Sequence, residues 1–263
     1  MANNNFLGEE KIIYPLKSLG LNSEFLAVDL DTIINTWFSI AAIFIAIFIA
    51  RYFIFKKDSI GAFLIKKLVG SFYSLVEQTF GKFDKRYYLY IASLFLFILF
   101  CNWISLIPYL EEPTKNINTT LALGIASFIF MHKEMIRVHG IKAYLKDFFM
   151  PLNIMFPFNL IAGLIMLPLK LLGEFANVIS LSFRLFGNIF GGFVIGSIFH
   201  NAIAGSIILQ ILGLGLGLII AGFFVIFEGF LQAFVFSILT LTNIAMAVGS
   251  QDSQETQTNN LGK

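Results

Sequence analysis

The sequence predicts an all-α integral membrane protein, and three observations carry that prediction. Hydrophobic residues make up 57% of the 263-residue chain and charged residues only 13%, whereas an ordinary globular chain carries roughly 25% charged residues. Mean hydropathy is +0.82. The apolar residues are gathered into runs long enough to cross a bilayer, separated by short segments rich in lysine and arginine. Too few charges exist to clothe a water-facing surface, so disordered and collagen-like classes are excluded. The one cysteine, Cys101, closes no intramolecular bridge and supplies no cysteine-based metal site. The abundant phenylalanine reads as lipid-facing filler.

Residues 1–32 mix short apolar patches with Glu9, Glu10, Lys11, Lys17 and Glu24, and read as an external N-terminal segment. They lack the basic stretch, brief apolar core and small-residue site of a cleaved signal peptide. The membrane domain is expected over 33–250, starting with a span at 33–55 that is interrupted only by Arg51 near its end. A helical span needs about 20 residues. Over 60–83, Lys66, Lys67 and Lys82 alternate with Phe63, Leu64, Leu68, Val69, Phe72 and Val76 at helical spacing. That pattern fits a basic amphipathic helix on the membrane surface, or a helix packed on a soluble partner. Two further spans are expected at 87–107 and 118–138, and a polar tail at 251–263.

Charge distribution orients the chain. Arg51 through Arg86 contribute eight of the 18 lysines and arginines, and Lys133 through Lys146 four more. The loop between the second and third spans carries Glu111 and Glu112 against Lys115 alone. Positive charge marks the cytoplasmic side or its organellar equivalent, so the basic segments lie inside and the N-terminus and acidic loop lie outside.

Between Pro151 and Ser250 the only Asp, Glu, Lys or Arg residues are Lys170, Glu174, Arg184 and Glu228. Two long helices are expected there, at about 155–200 and 203–248. At 1.5 Å per residue the second would be about 69 Å long, against a hydrocarbon core about 30 Å thick. Such a block either breaks and re-enters or lies at a steep tilt. Gly213, Gly215 and Gly217 offer a break, or equally a smooth surface for close helix contact.

Arg184 lies deep inside the first of these blocks. A charge at mid-bilayer costs about 2.5–3.5 kcal/mol even on insertion scales, and marks a functional site by default. At about 100° per residue, Lys170, Gly173, Asn177, Ser180, Asn188 and Gly191 all fall within about 40° of Arg184. Each is polar, charged or glycine, so the stripe should face protein or water rather than lipid. The second block carries a shorter counterpart in Glu228, Gln232 and Asn243. The competing structural reading pairs Arg184 with Glu228 or Gln232, merely fixing the packing. Glu174 has its own competing reading, as a solvated charge at the membrane interface.

The segment Arg184-Leu185-Phe186-Gly187-Asn188, preceded by Ser180-Leu181, resembles the a subunit of rotary proton-translocating ATP synthases. So do Leu231-Gln232-Ala233-Phe234-Val235-Phe236, Asn102 with Ile107-Pro108, Pro113-Thr114, Asn118-Thr119-Thr120, and Leu30-Asp31-Thr32. The resemblance covers about residues 28–245. It implies one N-terminal span, a surface amphipathic helix, a transmembrane hairpin and two long, strongly tilted helices packed against a ring of c subunits. It also implies two offset half-channels meeting near an essential arginine, and hence a non-catalytic channel subunit of a larger enzyme. The implied partners are the c-ring, the peripheral-stalk b subunits, the rest of the ATP synthase, the lipid bilayer and the translocated protons or sodium ions. No cofactor, metal or nucleic acid is expected.

By the same resemblance, Arg184, Asn188, Gln232, Ser180, Asn102 and Asp31 belong to the ion path, with Asp31 near the uptake mouth; Asn177, from the polar stripe, and Glu174 are further candidates for that path. Two positions depart from the family pattern. An acid or histidine is common nine residues after the arginine, where this chain has Phe193, and an ionisable residue is common seven before the glutamine, where it has Val225. Glu228, one turn after Val225, is the expected substitute, against a reading in which it only orients Arg184 or Gln232. His132, His139 and His200 show no metal-ligand spacing. A secondary transporter built from repeats is disfavoured because the two long blocks do not resemble one another. A membrane hydrolase lacks its motifs. The form of the arginine segment leans towards a bacterial plasma membrane over a mitochondrial inner membrane.

Overall fold

A computed structural model describes residues 12–13, 28–56, 60–107, 109–149, 158–205 and 207–249. The described chain is helical apart from a two-residue antiparallel pairing of β1 (Ile12–Ile13) with β2 (Val28–Asp29). Seven helices follow: α1 (Leu30–Phe55), α2 (Ile60–Phe80), α3 (Lys85–Trp103), α4 (Ile117–Phe149), α5 (Phe158–Ile203), α6 (Ile207–Ala221) and α7 (Gly229–Gly249). A π-helical turn, Gly222–Glu228, joins α6 to α7. The fold class read from composition is the one observed.

Among the described residues, four helical stretches are long and apolar enough to cross a bilayer: Leu30–Phe55, Lys85–Leu106, Leu172–Ile203 and Gly213–Gly249. The expected span at 118–138 is helical within α4 but is not among these four. Its second half carries His132, Lys133, Glu134 and Arg137. Glu134 is buried and ion-paired with Arg137, one helical turn away. α4 bends at Gly140, whose φ of 79° favours glycine because a Cβ there would meet the backbone.

α1 and α3 start at aspartate caps. Asp29 accepts from the Asp31 N–H at 3.0 Å, and Asp84 from the Arg86 N–H at 2.8 Å, satisfying amides that have no partner within the helix. α2 packs on α1, α3 and α7, burying Ala62, Phe72 and Val76 while Phe63, Leu64, Leu68 and Val69 stay exposed. Its inner face is therefore covered by this chain itself, and an exposed apolar strip remains on the outer face.

The core lies where α3 meets α7, closed by α2 and α5. Ile91, Phe95 and Ile98 of α3 pack with Phe236, Leu241 and Ile244 of α7, and Leu181 and Leu185 of α5 join them. α4 lies along α5 and α7, with Tyr90 of α3 stacked on Phe130 of α4 at 3.7 Å between ring centroids.

The last two helices decide between the two readings of the glycine series. Gly213, Gly215 and Gly217 do not break the chain; they sit inside α6. A Cβ at Gly213 would come within 3.1 Å of Ile203, and one at Gly217 within 3.2 Å of Phe199, so these two glycines let α6 lie close against the end of α5. The irregularity falls instead at Gly222–Glu228. A π turn loosens the regular backbone ladder, and α3 supplies donors there. Trp103 Nε1 donates to the Ile226 carbonyl at 3.2 Å, and Asn102 Nδ2 to the Gly229 carbonyl at 3.0 Å. Buried carbonyls need such partners.

Candidate functional site: an outward cation between two polar cavities

Leu181, Ser182 and Leu185 face the core, which turns the Arg184 side of α5 outward. Gly173, Asn177, Ser180 and Arg184 are all exposed along one line, and Asn188 and Gly191 continue it half-buried. The side chain of Lys170 lies outside the described residues. On one flank the stripe is bordered by exposed apolar surface, Phe183 being 51% exposed, and on the other by the buried Leu181 and Leu185. Arg184 has no hydrogen bond or ion pair among the described residues. The structural reading that pairs it with Glu228 or Gln232 is therefore not what the side chains do.

Glu228 is held by two other residues. Asn188 Nδ2 donates to Glu228 Oε1 at 2.8 Å, and Gln232 Nε2 donates to the same oxygen at 3.0 Å. The first bond ties α5 to the π turn, and the second runs one turn along into α7. Gln232 is buried, 6% exposed. The cluster ends one helical turn from Arg184 through Asn188, so Glu228 does orient Gln232 but leaves the guanidinium free.

A cleft of about 750 Å³ opens beside this cluster. Asn102, Glu112, Lys115, Asn188, Phe193 and Val225 are among its walls. Lys115 Nζ sits 3.6 Å from the centroid of the Phe193 ring and 3.3 Å from Glu111. Asn102 is buried with its amide committed: besides donating to Gly229, its Oδ1 accepts from Thr114 Oγ1 at 2.8 Å. It holds the acidic loop, α3 and α7 together. Asp31 is exposed in the first turn of α1, near the same loop, since Asn116 Nδ2 reaches Thr32 Oγ1 at 3.4 Å. It is not among the residues lining the cleft.

A second cavity, about 340 Å³, lies towards the other end of α5 and is lined by Ser127, Glu174, Asn177, Thr240 and Asn243. Glu174 Oε2 stands 3.4 Å from His132 Nε2, with side chains 18% and 13% exposed. Tyr144 Oη lies 3.3 Å from His132 Nδ1. Glu174 is thus an interhelical partner, not a solvated interface charge. His139 bonds the Val248 carbonyl at 2.7 Å, and His200 lines the larger cleft. No cluster of three or more metal-binding side chains occurs among the described residues.

Several of these features were hidden in sequence. The His132–Glu174 contact spans α4 and α5, and the Lys115–Phe193 contact joins a loop to a helix, so neither leaves a local spacing. The Glu111-Glu112 pair is visible, but nothing local says which of the two turns inward.

Taken together, the fold defines a multi-pass, all-helical membrane protein with an outward polar stripe on α5 and two largely apolar cavities that each carry a few polar side chains. A family model described as ATP synthase A chain matches residues 33–245. ATP synthase subunit a of Moorella thermoacetica is 32% identical over 82% of this chain and 89% of its own length. That of Hydrogenobaculum sp. is 35% identical over 71% and 82%. ATP synthase subunit a, sodium ion specific, of Propionigenium modestum is 29% identical over 85% and 76%. The chain belongs to the ATP synthase subunit a family, the ion-translocating stator component of that enzyme's membrane sector.

Proposed function

We propose that this subunit carries protons through two offset half-channels separated by Arg184, driving a ring of acidic c subunits past the exposed stripe of α5. One observation carries the reading: an outward cation, with no hydrogen bond or ion pair among the described residues, stands between two largely apolar cavities that each carry a few polar side chains. Asn188 lines one and Asn177 the other. The two asparagines are about 16 Å apart along α5 at 1.5 Å per residue, and Arg184 lies between them. Lipid would be a costly neighbour for that charge, whereas a ring carboxylate would complement it.

Arginine suits the position because its guanidinium stays charged, with a pKa above about 12. At about 4 Å and an effective dielectric near 20, attraction to a carboxylate is about 4 kcal/mol. That attraction favours the ionised carboxylate, so an arriving ring acid releases its proton towards the Asn177–Glu174 cavity. After passing Arg184 it is reloaded from the Asn188–Glu228–Gln232 side. The fixed charge also repels a proton moving straight from one cavity to the other. Each charge crossing the membrane yields about 2.3 kcal/mol per 100 mV, and the subunit makes and breaks no covalent bond.

In this reading Ser180 and Asn177 border the release path, and Asn102 and Asp31 hold or flank the uptake side. The b subunits of the peripheral stalk keep the subunit from turning with the ring, and the membrane is a bacterial plasma membrane. The c-ring's own site sets the choice of proton or sodium, so flux is measured with both ions. The test is reconstitution of the whole complex carrying Arg184→Ala. ATP-driven pumping is lost and passive ion leak appears. Normal coupled pumping in that variant overturns the reading.

A further inference from the structure

We propose that Glu112 is the proton-loading carboxylate of the larger cleft, taking protons from the outer solution and passing them through water to the Asn188–Glu228–Gln232 cluster. The proposal rests on the half-channel reading above and deepens it. It supplies the uptake acid that Phe193 and Val225, both apolar walls of that cleft, do not provide.

Glu111 and Glu112 are neighbours with different surroundings. The Glu111 side chain is 68% exposed and paired with Lys115 at 3.3 Å. Glu112 is half-buried at the start of the Pro113–Lys115 turn, in the wall of the cleft. Lys115 is engaged by Glu111 and by the face of the Phe193 ring. Burial pushes the Glu112 carboxyl above its ordinary range; a Ser105 hydroxyl and Lys115 pull against this, and Glu111 adds to it.

Other charges facing the cleft are few among the described residues. The loop contributes Glu111 and Lys115, and α5 contributes His200. The polar groups from α3 and α6 are the neutral Asn102 and Gln210. Across the cleft stands Asn188, which donates to Glu228. The cleft, about 750 Å³ in volume, is large enough to admit several waters at about 30 Å³ each, and Asn102, Ser105, Asn188 and Gln210 are the neutral polar side chains in its walls that can hold them. The loop also lies on the side opposite the basic segments, from which protons enter during ATP synthesis.

The experiment uses the assembled complex in vesicles, with ATP synthesis followed at fixed proton-motive force while the outer pH is varied. Glu112→Gln lowers the rate by about tenfold or more, in line with loss of a positioned proton-transfer group. Glu112→Asp recovers most of it, and Glu111→Gln keeps a pH-dependent fall but moves it to lower outer pH, since Glu111 helps to raise the Glu112 pKa. A raised pKa means the proton is held below that value and lost above it. The wild-type rate therefore falls as outer pH rises through the Glu112 pKa, and the Gln variant lacks that fall.

A wild-type rate and pH profile in Glu112→Gln overturns the proposal. So does equal impairment of the Gln and Asp variants with the pH profile unchanged, which is a structural effect only, and so does transport of sodium in place of protons. Arg184→Ala separates the two readings. Uncoupling there with an inert Glu112→Gln removes Glu112 alone, whereas intact coupling in Arg184→Ala removes both.

Discussion

Glu228 illustrates how one side chain can be tested for charge without disturbing packing. Its Oε1 accepts from Asn188 at 2.8 Å and from Gln232 at 3.0 Å, and a glutamine oxygen can accept both bonds in its place. Glu228→Gln should therefore leave assembly intact while removing the ionisable group. Ion flux through the reconstituted complex is expected to fall by at least about tenfold; unaltered flux would show that Glu228 serves only to hold α5 against α7. At this scale Arg184, Asn188, Gln232 and Glu228 were all legible, because polar groups inside a long apolar run stand out one by one. The partners of each were not. Helical angles placed Arg184 and Asn188 on one face but could not say that Asn188, rather than Arg184, reaches Glu228 across to another helix. The same limit hid the burial of Glu112 and the His132–Glu174 contact.

At the scale of elements, the close approach of α5 to the 207–249 segment depends on small residues at defined places. A Cβ at Gly192 would lie 2.9 Å from the Phe224 ring in the π turn, whereas one at Gly196 meets nothing within 4 Å. Gly192→Val should destabilise the subunit by about 1–3 kcal/mol, the usual cost of overpacking, and lower the thermal stability of the complex. Gly196→Ala should leave it unchanged, and differential scanning of the purified complexes distinguishes the two. The helices themselves were readable from apolar length. The π turn was not, since Gly222–Glu228 carries no proline or polar cluster and its shape depends on Trp103 and Asn102 donating from α3. The three glycines of α6 left two readings open, because a glycine series marks close contact and a break equally well, and Gly213 and Gly217 serve close contact.

At the scale of the whole molecule, the fold class followed from where charge is scarce, and the gathering of lysine and arginine gives the sidedness that the proposed function uses. α4 corrects the expected span at 118–138: its first half is apolar, but its second half, with Lys133, Glu134 and Arg137, carries too much charge for it to count among the four apolar stretches. In the proposed reading a ring of c subunits covers the α5 stripe. Arg184, exposed and without a hydrogen bond or ion pair among the described residues, is the feature that calls for that surface, and Ser180, exposed one turn away, reports on it without touching the charge. A photo-cross-linking residue placed at Ser180 in the assembled complex is the most direct measurement. Adducts to the c subunit are the predicted result, and adducts to lipid alone would contradict the account.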